Sequence, residues 1–168
     1  MIDFHLADSL KFDYSKFKDK KIDLIFTNPP AFNPDKILFA NSVEQHVVRM
    51  LTWFRSIAAQ LNIKTAFIHL VPGKFIHMTP KHEKIIDFPV YDVRYKTSNW
   101  LSISEHDLFA FFSRFIPKLD GKMILDPFCG TGRILDVAQK MGADGIGIEI
   151  DIKEIILAYD CFGLTLKQ

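Results

Sequence analysis

The stretch "MILDPFCGTGRILDVAQKMGADGIGIEID", Met123 to Asp151, decides the fold. A short apolar run ends at Asp126, and a turn holding Gly130 and Gly132 follows. "GRILDVAQKMG" then places its apolar residues at helical spacing until Gly142 stops it. A second apolar run, "GIGI", closes on Glu149. Strand, glycine turn, helix, strand is the unit of a parallel sheet, whose strands read as continuous apolar runs because both faces are covered. In such a sheet the ligand crevice opens beyond the carboxyl ends of the strands. Glycines let the backbone approach a ligand closely, and a carboxylate ending the next strand is placed to accept hydrogen bonds from a ribose diol.

The loop is not a dinucleotide fingerprint, because position 135 is Leu where G-x-G-x-x-G needs its third glycine. Nor is it a phosphate loop, since no Gly-Lys-Ser/Thr follows. The arrangement suits a nucleoside without phosphates. An acidic Asp126 would oppose a pyrophosphate and favour a cationic ammonium or sulfonium group.

Working outward, "IDFHLAD" reads as a strand ending at Asp8, "KFDYSKFKDKK" as a polar connector with a helical turn, and "IDLIF" as a buried strand. Apolar residues at spacings of three and four predict an amphipathic helix over 42–61. "TAFIHLVPG" is a strand closed by Pro72 and Gly73, and "KFIHMTPKHEK" is a polar, basic loop. "IIDFPVYDVRY" holds one or two strands, with Pro89 arguing for an edge or bend. "SISEHDLFAFFSRFI" is a helix with Ser102 or Ser104 as N-cap, and "IKEIILAYDCFG" is the last helix. The whole is an α/β chain, a mainly parallel sheet with helices on both faces.

At 168 residues there is room for one domain. A composition 48% hydrophobic and 13% aromatic excludes disorder. No apolar run approaches the roughly 20 residues of a membrane span. "MIDFHLADSLKF" has no basic segment followed by an apolar one, so no signal peptide and a cytoplasmic location are expected. Cys129 and Cys161 lack paired spacing, which suggests a reducing compartment and no metal. A net charge of +1 neither demands nor excludes a nucleic-acid partner.

"DPFCGTGR" with "GIEID" resembles the S-adenosylmethionine motifs of DNA amino-methyltransferases, D-P-F-x-G-S-G-T followed by G-I/V-E/D. The resemblance implies a Rossmann-like methyltransferase fold. It also implies that Asp126, Phe128, Gly130 and Gly132 line the methionine end of S-adenosyl-L-methionine while Glu149 holds the ribose. Arg133 departs from the family's Thr or Ser, where an arginine is able to pair with the methionine carboxylate. "TNPPAF" in turn resembles the catalytic D/N/S-P-P-Y/F/W motif of the same enzymes.

The chemistry explains those residue types. An exocyclic amino group is a poor nucleophile because its lone pair is delocalised into the ring. Two acceptors taking both N–H hydrogens, the Asn28 side-chain oxygen and the Pro29 carbonyl, favour a pyramidal nitrogen able to attack a sulfonium methyl in line. The stiff Pro29–Pro30 turn fixes the carbonyl's direction, a preorganised electrostatic device. An aromatic just beyond would stack on a base flipped from the duplex. Residue 31 is Ala, so that role falls to Phe32 or is lost.

The Asn-Pro-Pro motif precedes the glycine loop, the order of the circularly permuted β group of DNA amino-methyltransferases and of permuted RNA adenine methyltransferases. "HLADSLKF" with "KKIDLIFTNPP" is similar to that family's opening, which sets Asp8 near the cofactor adenine. The expectation is a catalytic half over 1–71, a target-recognition region over 72–101 and a cofactor half over 102–168. Lys74, Lys81, Lys84, Arg94 and Lys96 would contact DNA phosphates or bases, and so small a region predicts a short target or help from a second subunit. His46 and His69 sit in apolar surroundings and read as core or cleft histidines, and Cys129 as small packing. Asn before Pro-Pro resembles adenine rather than cytosine enzymes. Cytosine, RNA, and a degenerate relative that only binds stay open as alternatives.

Overall fold

Residues 1–30, 42–71, 73–89, 92–94 and 101–164 are described by the computed structural model. In chain order they form β1 (Ile2–Leu6), a 3-10 turn (Tyr14–Phe17), β2 (Leu24–Thr27), α1 (Val43–Gln60), β3 (Ala66–Val71), β4 (Lys74–Met78) and β5 (Glu83–Asp87). They continue with β6 (Asp92–Arg94), β7 (Leu101–Ile103), α2 (Glu105–Phe115), β8 (Met123–Asp126), α3 (Arg133–Lys140), β9 (Asp144–Glu149) and α4 (Ile152–Cys161). No helix among the described residues is long and apolar enough to cross a membrane.

The helix starts follow side-chain chemistry. The Ser42 hydroxyl accepts from the Gln45 amide at 3.2 Å and opens α1. The Ser104 hydroxyl accepts from the Asp107 amide at 3.1 Å and donates to the Asp107 carboxylate at 2.7 Å. This reciprocal cap settles the choice between the two serines, and Ser102 lies in β7 instead. Ser104→Ala is expected to cost about 1 kcal/mol, read as a lower urea midpoint at unchanged m-value.

Seven strands form one sheet in the order β1-β9-β8-β2-β3-β4-β5. The first five run parallel, and β4 and β5 are antiparallel additions at one edge. Side-chain alternation feeds two cores. Phe4, Leu24, Phe26, Phe67 and Ile124 pack with α2, α3 and α4, while Ile25, Ile68, Leu125, Ile146 and Ile148 pack with α1 and the 3-10 turn. Burial on both faces is why these strands are apolar throughout.

The basic loop expected after β3 is instead the hairpin β4–β5, and the small pair β6–β7 follows it. The charges in "KFIHM" mask a strand whose Phe75 and Met78 lie on opposite faces, each buried in one of the two cores. An edge hairpin needs no more than that.

From β8 the chain passes through α3 to β9 on one side, whereas from β2 it passes by way of α1 to β3 on the other. The strands β8 and β2 are neighbours, so the direction of winding reverses between them. That reversal opens a crevice at their carboxyl ends, where ligands of open α/β sheets bind.

Candidate active site

The register brings the two sequence motifs together at this crevice. Ile25 pairs with Leu125, so Thr27 ends beside Asp126, and the Thr27 hydroxyl donates to Asp126 Oδ1 at 2.7 Å. Asn28, Pro29 and Pro30 follow directly. On the other side Asp126 pairs with Gly147 of β9, and the Ala7 amide donates to the Glu149 carbonyl at 2.8 Å. Asp8, Glu149, Asp126 and Asn28 therefore stand along one edge of the sheet.

The glycine loop is tied down by Glu149. Its Oε2 accepts from the Gly130 amide at 2.9 Å, and Oε1 accepts from Ile150 and Asp151 amides at 2.8 and 2.9 Å. Three of roughly four acceptor positions of this carboxylate are thus used inside the protein. Gly132 precedes α3 at φ 78°, and a Cβ there would lie 2.9 Å from the Phe4 ring and 3.0 Å from Phe162. At Gly130 a Cβ would meet nothing within 4 Å, so the loop faces open space there. Arg133 is the first residue of α3 and half-buried. The Phe128 ring packs on Trp53 and Phe54 of α1, with centroids 5.4 and 6.3 Å away. Cys129 is buried, and that burial, with the Asp126 and Glu149 charges, pushes its thiol well up, so it is inert packing. Asp8 accepts from the Leu10 amide at 3.1 Å and has the Lys11 ammonium 3.4 Å away.

Asp126 is fully buried. Its Oδ1 accepts from Thr27 and from the Phe128 amide at 3.1 Å, while Oδ2 has no hydrogen-bond partner among the described residues. Burial pushes this carboxyl up to about 7, the Glu149 charge adds to the rise, and the two hydrogen bonds oppose it. The native state therefore holds a proton that the unfolded chain, with its ordinary value of 3.8, has already released. Stability from this group is full below 3.8 and is lost as pH rises through about 7. Asp126→Asn is expected to gain stability relative to the wild type across that interval, measured as the difference in Tm at successive pH values. A gap independent of pH would show that Asp126 ionises normally.

The Asn-Pro-Pro turn is held from two sides by residues read from the sequence as core or cleft histidines. Asn28 Oδ1 lies 3.0 Å from His69 Nδ1 of β3, and the Pro30 carbonyl lies 3.1 Å from His46 Nε2 of α1. Both imidazoles are buried, at 3% and 7% exposure, so the burial part of that reading holds while the contacts are new. The signal was a lone histidine near the end of an apolar strand. What it lacked was the register, in which Thr27 pairs with Ile68 and the next residues out are Asn28 and His69. Phe32 and Lys96 lie outside the described residues.

The candidate DNA-contacting lysines are divided by the hairpin. Met78 pairs with Ala66, the start of β3, so the turn carrying Lys81 lies at the end of the sheet away from the crevice. Lys84 pairs with His77 near that same end. Lys74 starts β4 at the crevice end and pairs with Asp87 at 2.6 Å. Arg94 closes β6. The basic loop expected over Lys74, Lys81 and Lys84 is thus a hairpin.

A parallel sheet reversing between β8 and β2, with helices on both faces and an antiparallel edge, is the Rossmann-like methyltransferase fold. The N6/N4 methyltransferase family model, described as DNA methylase, matches residues 114–160, which hold the glycine loop and Glu149. No curated protein matches the chain in sequence. Among solved structures, M1.HpyAVI in complex with SAM superposes with a TM-score of 0.60 at 16% identity, covering 98% of this chain and 100% of that one. The cytosine-N4-specific PvuII DNA methyltransferase gives 0.59 at 14% identity, over 99% and 88% of the two chains. TTHA0409 of Thermus thermophilus, complexed with S-adenosyl-L-methionine, gives 0.56 at 16% identity, over 97% and 95%.

Proposed function

We propose that this protein is an enzyme transferring the methyl group of S-adenosyl-L-methionine to the exocyclic amino group of adenine in DNA. The observation that carries the reading is the Thr27–Asp126 hydrogen bond, which joins the Asn-Pro-Pro turn to the glycine loop at the switch point of the sheet. The DNA methylase model over 114–160 and the methyltransferase fold support it.

The crevice fits the cofactor on its own terms. A buried carboxylate oxygen without a partner among the described residues, Asp126 Oδ2, is a ready acceptor for a cationic ammonium group. The open space at Gly130 admits a ligand against the loop backbone. Asp126, Gly130, Gly132 and Arg133 would hold the methionine end, Glu149 the ribose and Asp8 the adenine side. Phe128, turned onto Trp53, would act from beneath by fixing the loop. When bound, the cofactor supplies an electrophilic sulfonium methyl.

Asn28 and the Pro29 carbonyl accept the two N–H groups of the flipped base, direct its lone pair, and stabilise the positive charge that develops on nitrogen. Phe32 follows as the stacking candidate, and Lys74 and Arg94 as phosphate contacts. The chain order, catalytic half first, makes this a circularly permuted enzyme. Glu149→Ala is expected to weaken cofactor binding about 10-fold or more in calorimetry, since charge-assisted hydrogen bonds are each worth roughly 1.5–3 kcal/mol.

A second reading, methylation of the cytosine amino group, is favoured by the likeness to a cytosine-N4-specific enzyme. Both need the same acceptor geometry. The test is transfer of labelled methyl groups from S-adenosyl-L-methionine into duplex DNA, RNA and protein offered separately. Label in DNA alone supports the reading, and label confined to RNA or protein overturns it.

A further inference from the structure

We propose that His69 is a positioning residue for Asn28: its Nδ1–H fixes the carboxamide so that the oxygen, not the NH2 group, faces the acceptor base. This rests on the reading of Asn28 above and adds a residue to it.

An asparagine in this place has a difficulty that an aspartate does not. Its two ends are nearly equal in shape, and a half-turn of the carboxamide would point two N–H donors at the donors of the target amino group. Something must break that symmetry. The contact at 3.0 Å between His69 Nδ1 and Asn28 Oδ1 does so, because an amide oxygen only accepts and the ring nitrogen must therefore donate. An amide oxygen accepts up to two hydrogen bonds, so one from His69 is compatible with one from a substrate.

Four further observations agree. Nε2 of His69 is buried with no hydrogen-bond partner among the described residues. A bare acceptor is tolerated in such a place better than an orphaned N–H, which favours the form with the proton on Nδ1. Burial holds the imidazole down at about 4, so it stays neutral in the working range and keeps one defined tautomer. The ring is itself clamped, with Phe75 of the neighbouring strand at 4.7 Å and a 31° tilt. At the far end of the motif His46 holds the Pro30 carbonyl, so the turn is gripped from a strand and from a helix. Neither histidine has to touch the substrate.

Two measurements test this. The first needs no substrate and so stands apart from the methyl-transfer reading: long-range 1H–15N spectra of the wild-type protein labelled in histidine, with His69 assigned by its loss in His69→Asn. The expected result is protonated Nδ1 and bare Nε2 at neutral pH, with Asn28→Ala disturbing that preference. A proton on Nε2, or no response to Asn28→Ala, overturns the proposal. The second is kinetic. His69→Leu is expected to lower kcat about 10- to 100-fold, the effect of misplacing a reacting group by about 1 Å, with cofactor Kd and KM for DNA little changed. His69→Asn, whose amide nitrogen reaches the place of Nδ1, is expected to restore most of the loss. Equal kcat in wild type and His69→Leu, or no rescue by asparagine in a folded variant, contradicts it.

Discussion

Asn28→Ala is expected to lose methyl transfer to DNA by about 10²–10³-fold or more, the scale seen when one preorganised polar group is removed from a charge-developing transition state. Cofactor affinity should stay near that of the wild type. The reason is positional: Asn28 lies past the end of β2, while the candidate cofactor residues Asp126, Gly130 and Glu149 belong to β8, its loop and β9. The oxygen removed is the one held by His69, a residue of β3. Steady-state rates beside a calorimetric titration separate the two effects. An Asn28→Ala protein that transfers methyl groups as fast as wild type would remove this residue from the mechanism.

The second large effect concerns Asp126. Cofactor binding is expected to strengthen as pH rises through about 7, because the buried carboxyl must release its proton before it can receive a cationic ammonium group. The direction is opposite to that of stability without ligand, which falls over the same interval as the proton is lost. Both follow from one cause, the burial of this carboxyl, with the Glu149 charge adding to it. Asp126→Asn should flatten the pH dependence and weaken binding by the roughly 1.5–3 kcal/mol of a charge-assisted hydrogen bond. Titrations at several pH values with both proteins check this. Binding that is equally tight in the variant, or weakest above pH 7, would contradict a cation-accepting role.

Much of this was legible in the sequence for physical reasons. Strands covered on both faces must be apolar throughout, and "IDLIF" and "KMILD" announced themselves as central strands in that way. Gly132 was read as letting the backbone approach a ligand, and the structure adds a second reason for glycine there: the turn into α3 takes φ 78° and leaves no room for a Cβ beside Phe4. The pairing of the two motifs followed from their joint resemblance to those of DNA amino-methyltransferases.

What stayed hidden depends on register and on edge strands. Nothing in "TAFIHL" tells which neighbour His69 meets, since the partner is set by the alignment of β3 on β2. The hairpin β4–β5 was obscured because an edge strand tolerates the lysines and histidines that mark a loop elsewhere. That hairpin matters for function, for it carries Lys81 and Lys84 to the end of the sheet away from the crevice. Glu149 was read as a ribose ligand, and its bond from the Gly130 amide adds a second task, holding the loop that would receive the cofactor.

Amino methylation guided by Asn28 is tested most directly by the identity of the product. Unmethylated duplex DNA is incubated with the protein and labelled S-adenosyl-L-methionine, then digested, and the nucleosides are resolved by mass, with Asn28→Ala as control. The predicted result is deoxyadenosine bearing one methyl on its amino nitrogen, absent from the control. Label on a ring carbon, or no label in DNA from a protein that binds the cofactor, would contradict it.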